Sequence, residues 1–307
     1  MKKNNILITG SSGFIGAAVL KKLYKNINNN FFLLIREESN LHRINTFLES
    51  DRIYTFYEDQ LEEIFENKKI DFVIHLATNY IKYDKPSDHH DLIKDNVQKP
   101  SKIIDLSIQY KIKGFINTGT FFEVSEDENF ITEQSLIQPF NFYAKTKIQF
   151  QEILEANRKE LNAVTLRLFS PYGPNDNQKV IPFIIKSIVQ NNYFEIDNPN
   201  VNCDFTYVDD IAAAYEKTMN KMIEQNELPC LINVCSGEFV TLEKIIQTLK
   251  KISDKKIKFK FKNFKTIETK KSSNLLAKDV LEWVPETLIE NGLESTYSYY
   301  KNLIKNV

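Results

Sequence analysis

The run Ile6-Leu7-Ile8-Thr9, followed by Gly10-Ser11-Ser12-Gly13-Phe14-Ile15-Gly16, constrains the fold of this chain more than any other stretch. A β-branched, apolar run reads as a fully buried parallel strand. Three glycines spaced three apart end it, and Ala17 to Tyr24 then reads as a helix. The chain has only eight glycines, and three are here. Gly10 lets the chain turn off the strand, Gly13 lets backbone amides approach a pyrophosphate, and Gly16 lets helix and strand pack closely. The helix N-terminus then offers free N–H groups and partial positive charge to phosphate. An ordinary glycine turn is the alternative. Strand before, helix after and placement near the N-terminus favour dinucleotide binding.

The rest of the sequence narrows the class. Its 307 residues suit one large domain or two intimately joined ones. A net charge of −1 and a 26% charged content are ordinary for a globular protein, so nothing argues for nucleic acid or an anionic membrane as partner. No apolar run approaches membrane-spanning length, and no signal peptide is expected. Cys203, Cys230 and Cys235 are an odd, sparse set, and the four histidines do not complete a zinc-ligand spacing. A reducing, cytoplasmic setting and no structural metal are expected.

Residues 31–35, 71–77 and 114–118 read as further buried strands, with helical patterns between them, the clearest over 92–109. That alternation predicts an α/β fold with a doubly wound parallel sheet. A long helix over 143–161 and a strand over 163–168 follow. The Pro171-Tyr172-Gly173-Pro174 cluster then breaks the pattern. Beyond it, 209–219 looks helical, 231–234 looks like a strand, and 257–261 alternates as a half-exposed strand. The tail from Ser272 is helical with a break near Pro285.

Tyr143 and Lys147 stand four residues apart at a helix start, hence on one face. Tyrosine ionises near ~10, so acid–base work at neutral pH needs a shift of roughly three units, about 4 kcal/mol. A cation one turn away supplies that kind of stabilisation. A surface pair on an amphipathic helix is the alternative. Thr118 weighs against it, because it ends a predicted parallel strand at the carboxyl edge, where ligands sit in open α/β sheets.

Together these residues resemble the extended short-chain dehydrogenase/reductase family that acts on nucleotide sugars. Gly10, Gly13 and Gly16 match its glycine motif, Tyr143 and Lys147 its Tyr-x-x-x-Lys, and Thr118 its catalytic hydroxyl. The segments 167–174, 204–210, 233–237 and 281–285 resemble its later landmarks, so the likeness runs nearly end to end. The resemblance implies a Rossmann domain over 1–172, rejoined by about 204–219 and 231–235. It implies a smaller, discontinuous sugar-nucleotide-binding domain from 173–203 and 255–307. It also implies hydride transfer between NADP(H) or NAD(H) and a sugar carbon. Tyr143 would donate the proton, Thr118 would hold the oxygen, and Lys147 would bind the nicotinamide ribose and lower the tyrosine pKa. Cofactor contacts would come from Gly10, Ser12, Gly13, Phe14, Ile15, Gly16, Arg36, Ser39, Asp59, Leu76, Ala77 and Phe169, besides Tyr143 and Lys147. Thr78, Thr118, Gly119, Thr120, Tyr143 and Ser170 would touch the sugar nucleotide.

Departures from the family pattern refine this. Arg36 ends the second strand where an NAD enzyme commonly has a carboxylate, which suits a 2′-phosphate and hence NADP(H); stacking of Arg36 on adenine, with Glu37 on the ribose, is the other reading. Gly119-Thr120 stands where 4,6-dehydratases carry an Asp-Glu pair, and no cysteine follows the hydroxyl as in epimerase/reductases of the fucose-synthase type. Ketone reduction or 4-epimerisation through a transient ketone remains. The surroundings Ile116-Asn117-Thr118-Gly119-Thr120 most resemble CDP-paratose and abequose synthase-like enzymes, which implies reduction of a nucleotide-linked 4-keto-6-deoxy sugar. A 4-epimerase, and then a non-catalytic redox sensor, are the alternatives. Cys203 replaces a diphosphate-clamping arginine, a role left to Lys179 or another cation. Apolar positions on more than one face of the helices at 92–109 and 143–161 suggest a homodimer.

Overall fold

The computed structural model describes residues 3–125, 127–176, 179–225, 227–263 and 270–305. Ile6, Leu7 and Ile8 are wholly buried in β1 (Asn4–Thr9), because helices cover both faces of the sheet there. β2 (Asn29–Ile35), β3 (Ile53–Tyr57), β4 (Phe72–His75) and β5 (Gly114–Thr120) follow it into one sheet. β6 (Phe130–Ile131) lies outside, β7 (Ala163–Leu168) returns, β8 (Phe194–Ile196) and β9 (Asn202–Asp204) leave again, and β10 (Leu231–Val234) completes the edge. The order is β10-β7-β5-β4-β1-β2-β3, every pair parallel. The winding reverses between β1 and β4, so a crevice opens at their carboxyl ends. The doubly wound sheet expected from sequence is thus present, with β3 as an added edge strand.

One face of the sheet packs Ile8, Leu33, Ile116 and Leu166 against α1 (Phe14–Leu23) and α7 (Val208–Ile223). The other packs Leu7, Val73 and Phe115 against α2 (Leu61–Lys68), α4 (Lys99–Gln109) and α5 (Phe142–Ala156). The helix read over 92–109 is interrupted. A short α3 (His89–Ile93) runs through a π-turn at Lys94–Gln98 into α4, which carries Pro100 near its start. A separate core joins α6 (Val180–Val189) and α8 (Leu242–Ser253) to Tyr172, Phe194, Leu293 and Tyr297. β11 (Phe239–Thr241) pairs with β9, β12 (Phe259–Phe261) with β8, and β13 (Lys271–Ser272) with β6. α9 (Leu275–Leu281) and α10 (Ile289–Lys305) flank the break at Pro285.

Two buried aspartates join these parts. The Asp204 carboxylate accepts from the amides of Ser236 and Gly237 and from the hydroxyls of Thr206 and Ser272. Asp210 accepts from the amides of Glu286 and Thr287, and its carbonyl takes the Trp283 indole N–H. The late motifs of the sequence are therefore tied to one another by side-chain-to-backbone bonds. Among the described residues no helix is long and apolar enough to cross a membrane.

Candidate active site

Gly10 takes φ +71°, and a Cβ on it would lie 2.6 Å from the Ala77 amide nitrogen. That close approach brings the first turn against Leu76 and Ala77 at the point where the winding reverses. A Cβ on Gly16 would lie 2.1 Å from the Gly10 carbonyl oxygen, so α1 can start this near the strand only with glycine there. Gly13 is the N-cap of α1 and has no side chain to cap it, which leaves the first amides of the helix available. The buried Ser11 hydroxyl beside them has no protein partner. These features fit a dinucleotide pyrophosphate. Ile15 packs against the core behind the turn, the Lys179 ammonium lies 5.4 Å from the buried Phe14 ring, and the Ser12 carbonyl accepts from Arg43.

Arg36 lies just past β2, well exposed, with its guanidinium 3.6 Å from Glu38. Its amide donates to the Ser39 hydroxyl, so the two residues form one turn at the strand's end. Asp59 lies exposed in the turn after β3.

Tyr143 and Lys147 are both buried on α5, 6% and 3% exposed. Burial pushes the Tyr143 phenol above its ordinary pKa, with Thr78 pulling the other way and Glu123 and Tyr80 adding to the rise. Burial also brings Lys147 down to about 8, against the upward pull of Glu123. The phenol is held protonated.

Three elements outside the expected set hold Tyr143. Asn96, buried in the π-turn, accepts from the Thr78 hydroxyl and the Asn79 amide, and donates to the Asn79 carbonyl and the Thr146 hydroxyl. It thereby locks the loop after β4 to α5. Asn141 caps α5 through the Ala144 amide and donates to the Ile81 and Lys82 carbonyls. Asp84 accepts from the Phe142 amide, and His89 stacks on the Phe142 ring at 3.7 Å. Tyr80 meets the Tyr143 ring edge-on at 5.0 Å. Neither the π-turn nor the contacts of Tyr80, Asp84 and His89 had a sequence signal, whereas Asn141 has the residue type of an N-cap.

The Thr118 hydroxyl is bonded to His75 and Tyr215. It donates to the His75 carbonyl at 2.7 Å and lies 2.6 Å from the Tyr215 phenol oxygen on α7. By strand alternation Thr118 and Thr120 share a face with Ile116, and they differ in what engages their hydroxyls. Thr120 stands two residues on, where β5 gives way to the turn Phe121–Glu123 that packs on α5. Glu123 fixes that end: its carboxylate accepts from the Thr120 amide at 2.8 Å and pairs with buried Arg167 at 3.1 Å. Gly119 leaves room for it, since a Cβ there would lie 3.2 Å from the same carboxylate.

Phe169 is buried and stacks on Phe121. Ser170 has φ +20°, and its hydroxyl lies by the Cys203 thiol. Burial pushes that thiol up, while the charge of Lys82 acts downward on it. Lys179 is engaged elsewhere, with Asp176 and the Pro171 carbonyl. Among the described residues no cluster of three or more His, Cys, Asp or Glu is placed to hold a metal ion.

The model of the NAD-dependent epimerase/dehydratase family matches residues 6–235. A CDP-abequose synthase of Salmonella typhimurium is 32% identical over 229 residues, 69% of this chain and 69% of that protein. A CDP-abequose synthase of Salmonella muenchen is 25% identical over 300 residues, 95% and 97% of the two chains. In fold, the chain matches a UDP-glucuronic acid 4-epimerase from Bacillus cereus, crystallised with UDP-glucuronic acid and NAD. The TM-score is 0.86 at 24% identity, over 97% of this chain and 99% of that one.

Proposed function

Because this chain belongs to the NAD-dependent epimerase/dehydratase family and is an NAD(P)-dependent, nucleotide-sugar-modifying enzyme, we propose that it reduces a nucleotide-linked 4-keto-6-deoxy sugar with NADPH. The observation that carries this reading is the likeness to two CDP-abequose synthases, one of them over nearly the whole length of both chains. Tyr143, buried beside Lys147 on α5, is the group that gives a proton to the ketone oxygen.

In this reading the cofactor supplies hydride, and the chain's own groups place and protonate the substrate. The amides at the start of α1 hold the pyrophosphate, and Arg36 meets the 2′-phosphate. Lys147 is cationic at neutral pH and sits one turn from Tyr143 for the nicotinamide ribose. Tyr143 gives its proton to the C4 oxygen, and Thr120, rather than Thr118, steadies that oxygen from the edge of β5. Residues 1–172, with the returning strand and helix, form the dinucleotide half. Residues 173–203 and 255–307 supply the sugar-nucleotide half, in a cytoplasmic homodimer built on α4 and α5.

Following NADPH absorbance with CDP-, UDP- and dTDP-linked 4-keto-6-deoxyhexoses tests the reaction. Stoichiometric oxidation with one of them is expected. The fold shared with 4-epimerases keeps a second reading in view. Interconversion of two 4-hydroxy epimers without net cofactor consumption would replace the reductase with that reading.

A further inference from the structure

A file of aromatic rings leads away from the reacting edge of β5. Phe121 stacks on Phe169, with centroids 5.7 Å apart, and lies 4.5 Å from Phe122. Phe122 stacks on Phe140 at 5.4 Å, and Phe140 meets Tyr83 edge-on at 6.5 Å. The file is held by backbone as well as rings, because the Phe140 amide donates to the Phe122 carbonyl at 2.9 Å. Phe140 stands three residues before Tyr143, and Phe121 directly follows Thr120. The rings therefore begin beside Thr120, in the turn that packs on α5, and run outward, where Phe140 is 41% exposed and Tyr83 75%.

The carboxylate that follows these rings in sequence is turned from this wall. Both Glu123 carboxylate oxygens are engaged, one by the Thr120 amide and one by Arg167. A sugar that presents its C4 oxygen to Tyr143 carries two neighbouring branches. At C3 there is a hydroxyl. At C6 the group is a methyl, a hydroxymethyl or a carboxylate, and the methyl alone is satisfied by hydrocarbon. A hydroxyl or carboxylate pressed on phenyl faces would lose water without gaining a partner.

We propose that Phe121 and Phe122, backed by Phe169 and Phe140, form an apolar wall that receives the C6 methyl and selects 6-deoxy sugars. The proposal rests on the reading above only in placing a nucleotide sugar with C4 at Tyr143; it does not depend on reduction. A hydrophobic contact of this size discriminates on the order of tenfold or more.

Calorimetric titration of the full chain, saturated with NADP+, tests it with three sugars on one nucleotide: 6-deoxyglucose, glucose and glucuronate, in a UDP and a CDP series. The 6-deoxy compound is expected to bind about tenfold more tightly than the other two. Phe122→Ser should erase most of that ratio, while Phe122→Leu should keep it, with NADP+ affinity unchanged in both. Equal or tighter binding of glucose or glucuronate overturns the wall, as does an equal loss for all three sugars in Phe122→Ser. Binding of none overturns the wall together with the nucleotide-sugar site. A preserved 6-deoxy preference without NADPH oxidation would leave the wall standing and remove only the reductase.

Discussion

The hydroxyl of Thr118 lies 2.6 Å from the phenol oxygen of Tyr215, across the sheet face covered by α7. The same hydroxyl donates to the His75 carbonyl, so its bonding capacity is spent on joining β4, β5 and α7. Thr118→Val should then act on stability, costing about 1–3 kcal/mol because the buried Tyr215 phenol loses its partner. Thr120→Val should act on turnover, lowering kcat on the order of a hundredfold with little change in stability. Urea denaturation and steady-state kinetics on both variants separate the two roles, and the opposite pattern would return the catalytic hydroxyl to Thr118.

Tyr143→Phe removes the proton donor and should lower kcat by at least about a thousandfold while NADPH still binds. Lys147, brought down to about 8 by burial, loses its ammonium charge as pH rises through that value. Cofactor affinity should accordingly weaken between pH 7 and 9, read by NADPH fluorescence titration. An affinity flat across that range would mean that Lys147 does not carry the ribose.

His75 is fully buried, paired with Thr9, and burial lowers its pKa to about 3, with the charge of Lys147 acting the same way. The unfolded histidine titrates near ~6.5, so below that pH the unfolded state binds the extra proton and the native state does not. Stability is therefore present in full above ~6.5 and falls as pH drops toward 3, by up to about 1.4 kcal/mol per pH unit. Denaturation midpoints from pH 7 to 4 should show a shallower slope for His75→Gln than for the parent protein.

Asn96 bridges the loop after β4 to α5 and so positions Tyr143 without touching the chemistry. Asn96→Leu should release Thr78 and Asn79, lowering kcat more than it raises KM, since the proton donor is misplaced while the nucleotide contacts remain. A change confined to the melting temperature would make Asn96 a purely structural bond.

Arg36→Asp should reverse or abolish a preference for NADPH over NADH. The lost charge-assisted contact is worth roughly 1.5–3 kcal/mol, and the new carboxylate repels the 2′-phosphate. Comparison of kcat/KM for both cofactors decides it. A parent enzyme already indifferent to the 2′-phosphate would place Arg36 on the adenine instead.

What the chain's order of residues settles by itself is whatever depends on near neighbours. The buried run of β1, the glycine turn after it and the Tyr143–Lys147 spacing are local, and each was legible as sequence because strand and helix periods dictate which residues share a face. The parallel sheet followed from strand–helix alternation. Tertiary structure alone decided how the two β5 hydroxyls are engaged, because Thr118 and Thr120 have the same alternation but α7, through Tyr215, claims Thr118, while Thr120 only accepts from the Phe122 amide. It also decided the π-turn that delivers Asn96, the burial that raises the Tyr143 pKa, and the file of rings assembled from residues 83, 121, 122, 140 and 169. Those features join residues far apart in the chain, and their energies come from desolvation and packing that exist only once the sheet and its two helical layers have closed.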